Sequence, residues 1–185
     1  MSSELSQYDH TSISRVDLFV FPVYDGMKFY ALTFDVKRGR ILVFDSTNVL
    51  KEDCLLEKYG VIIDHLANVL GEYLHLHGDP IKKIKMLKAK KFVVHIKWGN
   101  KSCMEASGIY LMRHIETYMG ETPCNWVCGL PTNPERHLIR LRTRYCATMI
   151  GWTNNYVKDD VMRGASTYYQ NFLSVPDEKM EKIFG

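Results

Sequence analysis

The chain has 185 residues, 46% of them hydrophobic and 24% charged, with a formal net charge of +3. That size and balance suit one globular domain with a sizeable core and exclude a disordered polyelectrolyte. Five cysteines, an odd number without framework spacing, fit a reducing compartment, the nucleus or cytoplasm, rather than a disulfide scaffold.

Residues 1–14 are polar and lack a signal-peptide core, which predicts a loose tail. Val16 to Val23 is β-branched and aromatic, a strand that Pro22 confines to an edge or ends early. Strands Lys28–Asp35 and Arg40–Asp45 are joined by Val36-Lys37-Arg38-Gly39, a short hairpin with a turn glycine. Residues 61–77 place Ile62, Leu66, Val69, Leu70 and Tyr73 on one face of a helix. Gly78-Asp79-Pro80 stops it. Phe92–Trp98 reads as a further strand. Ser107–Met119 is apolar nearly all round, which predicts a central buried helix. Residues 135–152 set Leu138, Leu141, Tyr145, Thr148 and Met149 at helical spacing, residues 156–172 read as helical too, and Val175-Pro176 marks a break. No apolar run approaches the length of a membrane span, so no membrane partner is expected.

Several segments together carry a family likeness. Ala106-Ser107-Gly108-Ile109-Tyr110-Leu111 resembles the D-C-G-hydrophobic-helix signature of the ubiquitin-like-protein (SUMO) proteases, most like the plant, transposon-associated branch. Lys28–Asp35 resembles that family's histidine strand, with Lys28 at the histidine position. Arg40–Ser46 resembles the strand ending in Asp-Ser, so Asp45 matches the catalytic aspartate. The oxyanion-hole glutamine position, six residues before the nucleophile, is Lys101, and Ser107 stands at the cysteine position. The likeness runs from about Val16 to Trp152 and also takes in Leu141-Arg142-Thr143-Arg144-Tyr145, similar to the family's C-terminal helix. It implies an α+β, papain-like fold with a central helix on a mixed or antiparallel sheet. It also implies a chemistry that has been dismantled, since one of the four functional positions keeps its residue.

Nucleophilic catalysis needs an activated nucleophile, a base and a stabilised oxyanion. Ser107 at a helix start reads otherwise as a capping residue. A serine hydroxyl gains too little acidity from a helix N-terminus to ionise without a base. Lys28 would serve only as a neutral amine. Asp45 favours the ammonium instead, so a Lys28–Asp45 ion pair is expected in place of a His–Asp pair. Residual hydrolysis through Ser107 and Lys28, or through Cys103 four residues before the helix, stands as the enzyme alternative.

The family's domain has more chain before its first strand, and that segment helps form the substrate face. A shortened N-terminus puts strong SUMO or ubiquitin binding in doubt and implies apolar surface that a partner or a second copy covers. The expected organisation is a tail over 1–14, a degenerate protease-like domain over 15–154 and a partly helical extension over 155–185. Tyr156, Val161, Met162, Tyr168, Tyr169, Phe172 and Leu173 make that extension apolar; it packs back on its own domain or forms a subunit interface.

Lys82, Lys83, Lys85, Lys88, Lys90 and Lys91, continued by Lys97 and Lys101, form the densest charge, with no acidic residue over 80–104. Such a run suits an acidic partner or an import receptor, or else a solvated loop and an edge whose lysines deter strand pairing. Nucleic acid is disfavoured, because few aromatics interleave and arginine is absent from the run.

Cys124 and Cys128, with His137 nearby, fall short of the four ligands of a structural zinc site and read as buried thiols. His75 and His77 end a helix, where such side chains are favourable. His95 on a strand and His114 in the central helix read as structural. No metal or cofactor is expected. The sequence therefore points to a catalytically inert SUMO-protease-like protein whose work is binding a protein partner, with self-association included. The alternative is a pseudoprotease that still grips and shields SUMO or a ubiquitin-like modifier.

Overall fold

The computed structural model describes residues 15–47, 55–77, 79–98 and 104–173. The tail 1–14, the Gly78 stop, Lys101, Cys103 and the Val175-Pro176 break lie outside the described residues. Among the described residues four strands, β1 (Leu18–Tyr24), β2 (Phe29–Asp35), β3 (Arg40–Phe44) and β4 (Lys90–Val93), form one sheet in the order β1-β2-β3-β4. The first two pairings are antiparallel and β3–β4 is parallel, so the sheet is mixed. Among the described residues five α-helices accompany it: α1 (Leu55–Leu76), α2 (Pro80–Leu87), α3 (Ser107–Thr117), α4 (Glu135–Gly151) and α5 (Lys158–Leu173). The class is α+β.

The β2–β3 hairpin turns at Gly39, whose φ of +63° is one that L side chains rarely adopt. Asp35 braces the turn by accepting from the Arg38 N–H at 2.9 Å and from Arg40 Nε at 2.8 Å. Pro22, opposite Ala31, sits in the edge strand β1, where a missing ladder donor is tolerated. β2 and β3 are central and almost wholly buried. Such strands read as continuous apolar runs because both faces are covered.

The two faces carry different layers. Tyr30, Leu32, Phe34, Ile41 and Val43 pack against Tyr59, Ile63, Ala67, Leu70 and Leu74 of α1 and Met86 of α2. The other face meets an aromatic cluster. Phe44 lies 4.7 Å from Tyr118 and 5.1 Å from Trp126, and Trp126 lies 5.3 Å from both Trp98 and His114, ring centre to ring centre. α3 belongs to this layer and buries Ser107, Ile109, Tyr110, Leu111 and His114.

Three expectations need correction. α1 begins at Leu55 and its buried stripe is Tyr59-Ile63-Ala67-Leu70-Leu74, with the expected Ile62 and Leu66 packed beside it and Tyr73 half-buried; Val69, expected on the same face, is exposed. β4 is Lys90–Val93 rather than Phe92–Trp98, since its hydrogen bonds to β3 end at Val94, whose N–H donates to the Val43 carbonyl. Pro80–Leu87 is a helix: Asp79 caps it by accepting from the Lys82 N–H, Pro80 occupies its first turn, and Met86 anchors it in the core. The compact unit holding the sheet ends at Pro134, and Glu135–Gly185 forms a second unit.

The second unit is a helical pair. Asn155 builds its turn, donating from Nδ2 to the carbonyls of Met149 and Ile150 at 3.2 Å and accepting from the Val157 N–H. This satisfies carbonyls left open at the end of α4. Leu138, Leu141 and Tyr145 are half-buried, whereas Thr148 and Met149, expected on the same stripe, are exposed.

Candidate functional site

Two turns bring the resemblance positions together. After β1, the Asp25 carboxylate accepts from the backbone N–H groups of Met27 and Lys28, both at 3.0 Å, and Gly26 takes φ +92°. This turn delivers Lys28 to the start of β2. Residues 31 and 44 are opposite in the β2–β3 register, which places Tyr30 opposite Asp45 and Lys28 opposite Thr47. Lys28, Tyr30 and Asp45 thus share the sheet face that α1 covers.

Asp45 is almost fully buried and every part of its carboxylate is engaged. Oδ1 accepts from the Thr47 N–H at 2.9 Å and the Thr47 hydroxyl at 2.7 Å. Oδ2 accepts from Lys28 Nζ, from the Tyr59 hydroxyl at 2.5 Å and from Lys58 Nζ at 3.4 Å. Lys28 Nζ also donates to Thr47 Oγ1, and its side chain is only 9% exposed. The ion pair expected from the sequence is therefore embedded in a network that Thr47, Lys58 and Tyr59 complete. Burial alone raises the Asp45 pKa, but donation from Lys28, Tyr59 and Thr47 outweighs it and holds the carboxyl at about 2. Burial and then Asp45 push the Tyr59 hydroxyl well above its ordinary range. Burial and then the neighbouring Lys28 ammonium pull Lys58 down, against the attraction of Asp45.

Ser107 is the first residue of α3, one place past the N-cap, which is Ala106. Its hydroxyl does not cap the helix, correcting that reading. Instead Oγ accepts from the Phe29 N–H at 3.0 Å, joining α3 to the start of β2. Gly108 beside it faces the Phe29 ring, where an added Cβ would make an ordinary van der Waals contact, 3.6 Å from Phe29 Cδ2. Lys28, Asp45 and Ser107 thus cluster around one end of β2, Ser107 through the backbone and the other two through side chains.

That arrangement can hold charge but is poorly set up to move a proton. An ammonium bonded to a carboxylate is not a base, and a hydroxyl whose lone pair takes an amide proton is held as a structural acceptor. His114 lies two helical turns beyond Ser107, about 10 Å along the axis. It is 2% exposed, and neither ring nitrogen has a partner among the described residues. Burial pushes its pKa down to about 3, with Asp45 pulling weakly the other way, so the ring is neutral.

The lysine run is partly neutralised in three dimensions. Lys83 pairs with Glu72 at 2.6 Å and Lys91 with Asp64 at 2.5 Å. Lys82 lies 3.7 Å from Asp79 and 3.8 Å from Asp17, and Lys85 donates to the Lys37 carbonyl. Lys88, Lys90 and Lys97 have no ion pair among the described residues. The acidic partners come from α1, the chain before β1 and the Asp79 cap of α2, which a window over 80–104 does not contain.

The remaining candidates separate. Cys128 is buried and accepts from the Leu130 N–H at 3.4 Å, but Cys124 is exposed, correcting its reading as a buried thiol. Cys124 sits in a short 3₁₀ turn that aims its side chain at solvent. Among the described residues no group of three His, Cys, Asp or Glu side chains could hold a metal ion. His75 is exposed; His77 Nδ1 lies 2.8 Å from the Tyr73 carbonyl at the end of α1. His95 is exposed and lies past the end of β4, so it is not a structural strand residue. Among the described residues no helix is long and apolar enough to cross a membrane.

Thr47, Lys58 and Tyr59 were not singled out by the sequence. Register arithmetic could have found Thr47, the partner of Lys28 across the hairpin. Tyr59 belongs to the helical stripe of α1, but nothing local says that its hydroxyl meets Asp45. No family model, curated protein or solved structure matches this chain.

Proposed function

We propose that this chain is a catalytically inert protein of SUMO-protease-like, papain-type architecture, and that its work is protein binding, including self-association. The observation that carries the reading is the closed network around Asp45. Lys28, Thr47 and Tyr59 are committed to that carboxylate, and Ser107 to the Phe29 backbone. A site kept for peptide hydrolysis leaves its nucleophile beside an available base. Self-association draws support from the second unit, where Met149, Met162, Tyr168 and Tyr169 are each more than half exposed. Exposed apolar surface on this scale marks interaction sites.

The test has two arms. Ubiquitin and SUMO carrying a C-terminal electrophile are incubated with the protein, and no covalent adduct is expected; an adduct lost in Ser107→Ala or Cys103→Ala defeats the inert reading. Size-exclusion chromatography with light scattering is then run alone and with each modifier. A discrete oligomer that ignores both supports the interaction module. A monomer co-eluting with a modifier transfers the reading to modifier binding.

A further inference from the structure

Among the described residues β4 is an edge of the sheet, paired on one side. Its hydrogen bonds to β3 run through alternate residues: the N–H groups of Lys90 and Val94 donate to the carbonyls of Gly39 and Val43. In a parallel ladder the intervening residues, Lys91 and Val93, direct their N–H and C=O groups to the open side. Such a row is a template for another strand. The side chains of β4 divide by face. Lys91 and Val93 turn toward α1, where Lys91 pairs with Asp64 and Val93 packs on the core. Lys90 and Phe92 turn the other way and are exposed, with Phe92 at 41%.

The charge selects the occupant. Lys88, Lys90 and Lys97, just before, within and after β4, have no ion pair among the described residues. A second copy adding through the same edge would set these lysines against their own kind, and like charges across a strand pair are unfavourable. An acidic strand gains where the second copy loses, and its backbone completes the open row of N–H and C=O groups.

We propose that the β4 edge is a docking site for an acidic, extended peptide segment of a partner protein, bound as an added strand. The acidic side chains meet Lys90 and its flanking lysines, and an apolar side chain two residues away meets Phe92. This deepens the interaction-module reading by naming the chemistry of the partner, and it rests on that reading.

The probe is a fluorescein-labelled eight-residue peptide, glutamate-threonine-valine-threonine repeated twice, which puts the acidic and apolar residues on one face. Fluorescence anisotropy with the full-length protein is expected to show saturable binding. Lysine in place of glutamate in the peptide abolishes it. Lys90→Glu weakens it by roughly tenfold or more, while Lys90→Arg retains it. Backbone N-methylation of one alternating set of peptide residues removes binding and of the other set does not, because only one set faces β4; which set it is reports parallel or antiparallel addition. Hydrogen exchange of the Lys91 and Val93 amides slows on binding. No binding, binding indifferent to Lys90→Glu, or binding that treats both N-methylated sets alike overturns the proposal. The failures are separable: absent peptide binding in a protein that forms no adduct with the electrophilic modifiers removes only the docking site, whereas an adduct removes the inert reading.

Discussion

Tyr59 of α1 donates its hydroxyl to Asp45 Oδ2 across 2.5 Å, tying the first long helix to the residue that follows β3. Both groups are nearly inaccessible to solvent. Tyr59→Phe deletes one of several donors to a charged acceptor, and such bonds contribute about 1.5–3 kcal/mol. Urea denaturation should show a loss in that range with an unchanged slope. A loss below about 0.5 kcal/mol would mean that Lys58 or Thr47 takes over the vacancy.

Lys28 and Asp45 should be strongly coupled. Removing one member of a buried pair costs about 3–5 kcal/mol, because the other is left charged in the interior. Lys28→Ala and Asp45→Ala should each fall in that range. Lys28→Met with Asp45→Leu should cost much less than their sum. A double-mutant cycle on chemical denaturation checks this, and additive losses would show that the pair is not a unit.

The acid limb of stability should have two parts. Asp45 has a folded pKa of about 2 against an ordinary 3.8. A lowered carboxyl pKa stabilises the fold above 3.8, and that contribution, on the order of 2 kcal/mol, is lost as pH falls toward 2. His114 acts earlier. Its folded pKa is about 3 against 6.5, so between those values the unfolded chain binds the extra proton. Stability then declines as pH falls from 6.5 toward 3. His114→Leu should flatten the 6.5-to-3 decline and leave the lower limb, whereas Asp45→Asn should do the reverse. Thermal unfolding across pH 2–7 separates the two, and identical curves for His114→Leu and the parent would sink the assignment.

Trp126 anchors the aromatic layer. It contacts Phe44, Trp98, Tyr118 and His114, and its Nε1–H donates to Thr117 Oγ1 at 3.2 Å. Trp126→Ala should cost about 3–5 kcal/mol, the usual range for a large aromatic lost from a core. Trp126→Phe should recover most of it. Equilibrium denaturation followed by circular dichroism gives both values.

The fold was legible where sequence and local physics agree. β2 and β3 carry their own signal, an apolar run on each side of a glycine that the turn geometry requires. The lysines obscured the next region. α2 offers no apolar stripe to read, since Ile81, Ile84 and Leu87 are exposed and Met86 is its buried side chain, and Lys90 and Lys91 hid the start of an edge strand that read as beginning at Phe92. The candidate site was half legible. Lys28 and Asp45 stand at the positions that the family resemblance pairs and carry opposite charge, but Tyr59 reaches Asp45 only through packing of α1 on the sheet. The Ser107–Phe29 bond joins residues 78 apart in sequence, beyond any local pattern.

Asp35 has a consequence for the order in which the chain assembles. It holds Arg38 and Arg40 from within its own hairpin, and Arg40 then donates to the carbonyls of Gly120 and Glu121, 80 and 81 residues away. The clamp can exist as soon as the hairpin does, while its distant clients arrive only after most of the unit has collapsed. Weakening the clamp at Asp35 should therefore slow folding, whereas weakening the grip on residues 120–121 should mainly hasten unfolding. Stopped-flow measurements on Asp35→Asn and on Tyr118→Phe, whose hydroxyl accepts from Arg40 Nη2 and donates to the Glu121 carbonyl, should place the two changes on opposite limbs of the chevron; a shift of the same limb in both would mean that hairpin and distant segment come together in one step.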